Sequence, residues 1–333
     1  MSVAMQPSAI PQLPGLPILG HLLDVRRDRL SFHQRLGAQL GPIAAFRIGP
    51  RRVVMVYDLD YIHTILVDND AAFEKTRALR SYLRPLLGDG LLSTLQERHR
   101  GQRRLVAPAF QHRRIAAYVE TMAAVAHHAQ ARWRDGEQLD LMHEMHQIAL
   151  EIVGKTLFGV DVQTEGAAIS DALVTALHSV DRMIRAFVPL PTTWPTPTNR
   201  RLHQAITVFD ELIYRIIDQR RASGEDRGDL LSMLLQATDA ETGEPMSRSQ
   251  VRDEAVTLFL AGFETTANAL VWAWYLLAQH PQIAARLRAE ATTVLGGRPI
   301  TLDDLPNLPY AMQVFKESMR LYPPAHSIAR QPK

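Results

Sequence analysis

The 333-residue sequence contains no cysteine. That absence excludes disulfides, Cys-ligated zinc, iron–sulfur clusters and a thiol nucleophile within these residues. Lysine is scarce too. Four of the 37 basic residues are lysine (Lys75, Lys155, Lys316, Lys333) and the other 33 are arginine, which reads as the compositional bias of a bacterial genome. An excess of charge of one sign is also lacking. With 37 basic and 35 acidic residues the net charge is +2, so no nucleic-acid partner is expected. No cationic end followed by an apolar run opens the chain, so residues 1–13 do not read as a signal peptide, and the expected location is the cytoplasm. What is present is ordinary globular composition, 46% hydrophobic and 22% charged, with enough apolar side chains for a large core.

One long apolar run exists. Ala255 to Ala278 holds 24 residues with a single ionisable group, Glu264. Its length would permit crossing a bilayer. A carboxylate near its middle, beside Thr265, Thr266 and Asn268, is costly in lipid, and the flanks show no anchoring asymmetry. A helix buried inside a large protein is the expectation, with a membrane-anchored protein as the competing reading.

The rest of the chain predicts a mainly α fold with a small β-sheet near the N-terminus. Three prolines between Pro11 and Pro17 make an extended arm. A helix spans Arg29–Leu40. Ile43–Ile48 and Val53–Tyr57 flank Gly49-Pro50 as a hairpin, giving a β-rich part at about 41–58. Asp58 caps a helix carrying Ile62, Ile65 and Leu66. Thr76–Ser93, with Pro85, Gly88 and Gly90, is expected to be loop. A helical part at about 96–322 follows: Gln96–Ala107, His112–Trp133, Leu141–Phe158 stopped by Gly159, Asp171–Phe187, Arg200–Arg221, Asp229–Ala237, a long apolar helix entered through Ser247, Pro281–Leu295 and Pro309–Tyr322. Pro189–Pro197 is a rigid connection. The last, extended segment looks like a strand without a following partner, as in an interrupted fold.

Three segments carry candidate chemistry. In Ala261-Gly262-Phe263-Glu264-Thr265-Thr266, small residues let a flat group approach a helix backbone. Thr265 can bond back to the Ala261 carbonyl, and an acid beside a hydroxyl can deliver protons. Read alone, the segment is better taken as a packing notch with a satisfied buried acid. Glu317 and Arg320 share a helix face; Phe315, Met319 and Leu321 around them suggest a buried pair bonded to a neighbouring loop, although alone the pair can be a surface feature. His99 and Arg103, four apart, can hold an anionic carboxylate or phosphate, or form a solvated basic face. His143-Glu144-Met145-His146 is not a zinc-binding spacing, and His127-His128 point in different directions; no metal ligands are assigned.

Taken in order, these segments resemble the cytochrome P-450 family of haem-thiolate monooxygenases, bacterial soluble type, over nearly the whole chain. The proline-rich arm, the early hairpin, the helix running into Pro108-Ala109-Phe110, Ala261–Thr266 and Glu317-x-x-Arg320 carry the likeness, with Trp194-Pro195-Thr196-Pro197-Thr198-Asn199-Arg200 similar to bacterial members. The resemblance implies a single P-450 domain over residues 1–333, haem b as cofactor, an apolar small-molecule substrate, a ferredoxin- or flavodoxin-type electron donor and no transmembrane segment. It implies that His99, Arg103 and Arg330 hold haem propionates and that Ala261 and Gly262 line the face over the iron. Glu264 and Thr265 would relay protons to dioxygen there, and Glu317 with Arg320 would form the structural ion pair behind the haem. Residues 77–92 and 325–328 would border the substrate pocket. The family's iron ligand is a cysteine downstream of the Glu-x-x-Arg helix, and this chain has none. It therefore reads as a truncated member, inactive alone; a non-catalytic helical binding protein on the same scaffold is the alternative.

Overall fold

A computed structural model describes residues 10–159, 191–238 and 243–333 and, between them, residues 172, 175, 176, 178–180, 182 and 183. The expected helix over Asp171–Phe187 and the start of the 189–197 connection lie largely outside these residues. The chain divides into two compact units, residues 1–74 with 330–333, and residues 75–329.

In the N-terminal unit the prolines keep the arm extended, and it borrows its partners from a strand. Leu13 N–H donates to the Ala45 carbonyl (3.0 Å) and Ala45 N–H to the Pro11 carbonyl (2.7 Å). Helices α1 (Leu22–Arg27) and α2 (Arg29–Leu40) follow, with Asp28 capping α2 by accepting from Ser31 N–H. Strands β1 (Ile43–Ile48) and β2 (Arg51–Val56) form the expected antiparallel hairpin. Alternation along β1 turns Ala44 and Phe46 inward onto Phe32 and Leu36, where the rings of Phe32 and Phe46 meet edge-on at 5.1 Å. Asp58 caps α3 (Leu59–His63), which widens into a π-helical turn over Thr64–Asp68. The final segment finds its partner in an earlier piece of the chain, not in a following one. Strand β4 (Gln331–Pro332) pairs antiparallel with β3 (Phe73–Glu74), and Gln331 donates to the Glu74 carboxylate (2.6 Å).

The second unit is helical. Its elements are α4 (Arg77–Leu87), α5 (Gln96–Val106), α6 (His112–Arg132), α7 (Leu141–Val153, continued by a π turn Gly154–Phe158), α8 (Pro197–Ser223), α9 (Leu230–Gln236), α10 (Arg248–Gln279), α11 (Pro281–Leu295) and α12 (Pro309–Leu321). Their starts follow from side-chain caps: Asp140, Thr196, Asp229 and Ser247 each accept from a backbone N–H of the first turn, and Ser247 forms a reciprocal capping box with Gln250.

Residues 77–87 correct the loop expected over Thr76–Ser93. Thr76 caps the segment by accepting from Leu79 N–H (3.3 Å), and the helix tolerates Pro85 in its last turns. Leu83, Leu86 and Leu87 recur at helical spacing, and the gain from packing them outweighs one lost backbone bond.

The core gathers Leu150, Val153, Phe158, Leu202, Phe209, Ile213, Leu231, Val256, Phe259 and Phe263 around α10. Beside it, Arg220 is buried and donates to both Asp229 oxygens (2.9 and 2.8 Å), the Ser232 hydroxyl (2.7 Å) and the Phe158 carbonyl (3.0 Å). This ties α8, α9 and the end of α7 together. Among the described residues, α10 is the one helix long and apolar enough to cross a membrane. Here its first half is core, and Arg252 within it forms a two-nitrogen ion pair with Asp210 of α8.

Candidate functional site

The centre of α10 has a packed side and an open side. Phe263 is buried beside the His146 ring (5.3 Å between centroids). Gly262 also turns inward, since a Cβ there would lie 3.3 Å from Val153 Cγ2 of α7. Glycine at this position thus permits close helix packing. Ala261, Thr265 and Thr266 are exposed. Thr265 Oγ1 donates to the Ala261 carbonyl (2.6 Å), the back-bond expected from the spacing. Such a bond competes with the helix ladder and bends the turn locally. Glu264, half-buried, stands at the border between the two sides and accepts from Asn268 Nδ2 (3.3 Å). A carboxyl group and a hydroxyl are therefore adjacent at the rim of a shallow strip of small side chains. That arrangement can pass protons to a group lying on the strip.

Helix α5 presents the second candidate pair. Four residues apart on one face, His99 is half-buried and partnered, whereas Arg103 is exposed, and its guanidinium has no side-chain partner among the described residues. Between them and the core sits Gln102, buried, which donates to the Asp89 carbonyl (2.7 Å).

That bond leads to a set of residues that the sequence reading did not single out. The turn Gly88-Asp89-Gly90-Leu91, which joins α4 to α5, is gripped by successive acids of α10. Asp253 Oδ2 accepts from Asp89 N–H (2.9 Å) and Glu254 Oε2 from Leu91 N–H (3.0 Å). Lys75 Nζ holds the Leu91 carbonyl (2.5 Å). The fit leaves no room for a side chain at Gly90, where a Cβ would fall 2.2 Å from Thr257 Oγ1. Glu254 is fully buried and its second oxygen, Oε1, has no partner among the described residues. Burial pushes its carboxyl up to about 7; the Leu91 bond and Lys75 pull it down and Asp253 pushes it up. Through this turn α5 is fixed to the helix that bears Glu264 and Thr265. No local pattern signals this pairing, because the turn and the two acids lie more than 160 positions apart.

The third pair forms but is not buried. Arg320 donates twice to Glu317 (2.7 Å each), while the side chains are 66% and 55% exposed. The pair holds the Glu317 carboxyl below the usual range and raises the Arg320 guanidinium. The expected burial fails because Ser318 is the one buried residue of α12, so Phe315, Met319 and Leu321 do not enclose the pair. Arg330 is exposed and belongs to the N-terminal unit, just before β4. Residues 325–328 lack regular structure and are largely exposed. His127 and His128 lie on the surface of α6, and His146 bonds the Met142 carbonyl (2.7 Å). No group of three or more His, Cys, Asp or Glu side chains able to hold a metal occurs among the described residues.

Comparison with known proteins matches this arrangement to one family over almost the entire length. The cytochrome P-450 family profile covers residues 11–333. Cyclooctatin synthase of Streptomyces melanosporofaciens is 38% identical over 318 residues, which span 95% of this chain and 69% of that protein. Cyclooctat-9-en-7-ol 5-monooxygenase of the same organism is 36% identical, spanning 94% of this chain and 68% of its own. Pentalenene oxygenase of Streptomyces avermitilis is 34% identical, spanning 95% and 70%. With its helical architecture, its acid–hydroxyl notch and this match, the chain belongs to the cytochrome P-450 family of haem monooxygenases.

Proposed function

We propose that this chain serves a reaction that inserts one atom of dioxygen into an apolar organic substrate, with Glu264 and Thr265 handling the protons. Haem, the family's cofactor, supplies the iron at which dioxygen is activated. The residues present fit two edges of that group. Ala261 and Thr265 leave a shallow strip on α10 that a flat ring can cover, and Arg103 offers an unpaired guanidinium to a propionate. They do not provide its axial ligand: none of the 333 residues is a cysteine. This chain alone therefore forms no thiolate-ligated haem, and no iron chemistry is assigned to it alone.

The observation that carries the reading is the Thr265–Ala261 bond. It commits the hydroxyl proton to the backbone, so Oγ1 is left to accept a hydrogen bond from a donor on the strip side, next to a half-buried carboxyl that can carry the proton itself. His99, partnered at the edge of α5, is the second propionate donor in this reading, which takes residues 1–333 as one functional domain. The names pentalenene oxygenase and cyclooctat-9-en-7-ol 5-monooxygenase denote an alkene and an alkenol as what those relatives act on. We place this chain's substrate in the same apolar class. Electrons come from a separate ferredoxin- or flavodoxin-type donor.

The test is haem titration of the intact chain, followed by quenching of Trp272 and Trp274, which lie about two turns and two and a half turns beyond Thr265 on α10. Haem is expected to quench them, with Arg103→Glu and Ala261→Trp each weakening binding several-fold. After reduction and addition of carbon monoxide, the red-shifted Soret band of thiolate ligation should be absent. Such a band would refute the ligand argument. Equal haem affinity in both variants would refute the site and leave a non-catalytic scaffold.

A further inference from the structure

We propose that the N-terminal unit carries a peripheral docking surface for an anionic lipid bilayer, formed by the turn Leu16–Gly20 and the tip of the β1–β2 hairpin. The two turns are bonded side by side: Gly49 N–H donates to the Leu19 carbonyl (3.0 Å), and His21 N–H to the Arg47 carbonyl (2.7 Å). At the first turn the chain exposes what a folded protein ordinarily hides. Ile18 is 86% exposed and Leu16 55%, with Pro17 between them and exposed Pro50 on the adjoining tip.

Ile18 is also the one non-glycine residue with positive φ among the described residues, at 64°. Leu19 N–H donates to the Pro17 carbonyl (2.7 Å), closing a three-residue turn around it. A β-branched residue in that conformation is strained. Bonds in both directions between Leu16 and Gly20 (3.0 and 2.9 Å) hold it there. Strain spent on presenting an isoleucine to solvent points to something that isoleucine enters.

Charge identifies what that is. Arg47 and Arg52 are direct cross-strand partners in the hairpin, both exposed, with exposed Arg51 next to them. Like charges directly opposite one another destabilise a strand pair. None of the three guanidinium groups has an acidic partner among the described residues. An anion between Arg47 and Arg52 relieves that repulsion, and phosphate suits the guanidinium fork. The apolar residues form a convex tip rather than a groove or a broad face. A convex tip beside unpaired arginines suits insertion among acyl chains with the arginines at the headgroups, whereas a protein partner needs a wide complementary surface.

The experiment is co-sedimentation of the full chain with vesicles of phosphatidylcholine alone or mixed with equal phosphatidylglycerol. Binding to the mixed vesicles alone is expected, released by about 0.5 M salt as the Debye length shortens. Replacing both arginines (R47Q with R52Q) should lower partition about tenfold or more. Ile18→Asn, which tolerates the left-handed backbone, should lower it several-fold. Circular dichroism and the thermal midpoint verify that each variant is folded, and Arg52→Gln alone is the milder substitute should the double variant not fold. No binding to mixed vesicles, or binding unchanged in the variants, overturns the proposal. Loss with the arginine variants but none with Ile18→Asn also overturns it, since the contact is then with headgroups alone and the apolar turn enters nothing.

Discussion

The two halves of α10 invert the usual relation between charge and burial. Residues 251–263 include Arg252, Asp253 and Glu254, the only three consecutive charges in the helix, yet this half is core, with Arg252 4% and Glu254 0% exposed. Residues 264–279 contain one charge, Glu264, yet Trp272, Trp274 and Tyr275 are 36–46% exposed there. Partners explain the difference. In the first half every charge meets a fixed counterpart, namely Asp210 for Arg252 and the backbone of turn 88–91 for Asp253 and Glu254. In the second half Trp272 and Tyr275 meet each other and Tyr322, which stacks on Trp272 at 4.5 Å, while Trp274 stays 45% exposed. Polarity along a helix therefore does not locate its buried face; the surfaces brought against it do.

Truncations test this contrast most strongly. Phe259 lies at a junction of rings, 5.6 Å from Phe158 and 5.8 Å from Phe209. Phe259→Ala should cost about 3–5 kcal/mol by opening a cavity. Trp272→Ala, although it removes a larger side chain, should cost clearly less, because part of its area is already in water. Urea denaturation of the two variants decides; equal losses would show that both halves are core.

A smaller effect sharpens the contrast by pH. Burial raises the Glu254 carboxyl to about 7 from an ordinary value of 4.5. Between those values the folded chain binds more protons than the unfolded one, so stability falls as pH rises through that window. At about 1.4 kcal/mol per unit the loss is on the order of 3 kcal/mol by pH 8. Carboxylates held low, such as Asp218 beside Arg248, act in the opposite sense and only in acid. Glu254→Gln keeps an acceptor for Leu91 N–H and removes the charge. It should be more stable than the parent at pH 8 and close to it at pH 5. A parent whose stability does not change over that interval would mean that the buried carboxyl is compensated by a group not seen here.

These tests bear on how much the sequence disclosed. Caps and breakers are local chemistry, so Asp58, Ser247, Pro281 and Gly159 marked element ends correctly. The Thr265 back-bond follows from a spacing of four. What was not legible depended on surroundings. Pro85 suggested loop, but three leucines packing onto the core keep residues 77–87 helical. Phe315, Met319 and Leu321 suggested a buried Glu317–Arg320 pair, yet spacing alone cannot tell whether a face is covered. The grip of Asp253 and Glu254 on turn 88–91 links residues more than 160 positions apart, and local patterns carry no trace of such a pairing.

The smallest expected effect belongs to Thr265, at the junction of the two halves. Threonine is a poor helix former, and its back-bond perturbs the ladder. Thr265→Ala should therefore leave stability within about 0.5 kcal/mol, on the stabilising side. Were the hydroxyl a structural pin, the variant would lose 1 kcal/mol or more, and Thr265→Ser, which keeps the bond to the Ala261 carbonyl, would restore it. Chemical denaturation of Ala and Ser variants separates the two cases. A neutral or stabilised Ala variant means that folding gains nothing from this hydroxyl. Its place beside Glu264, on an exposed strip of a helix otherwise rich in alanine and leucine, then agrees with the proton-handling role proposed for it.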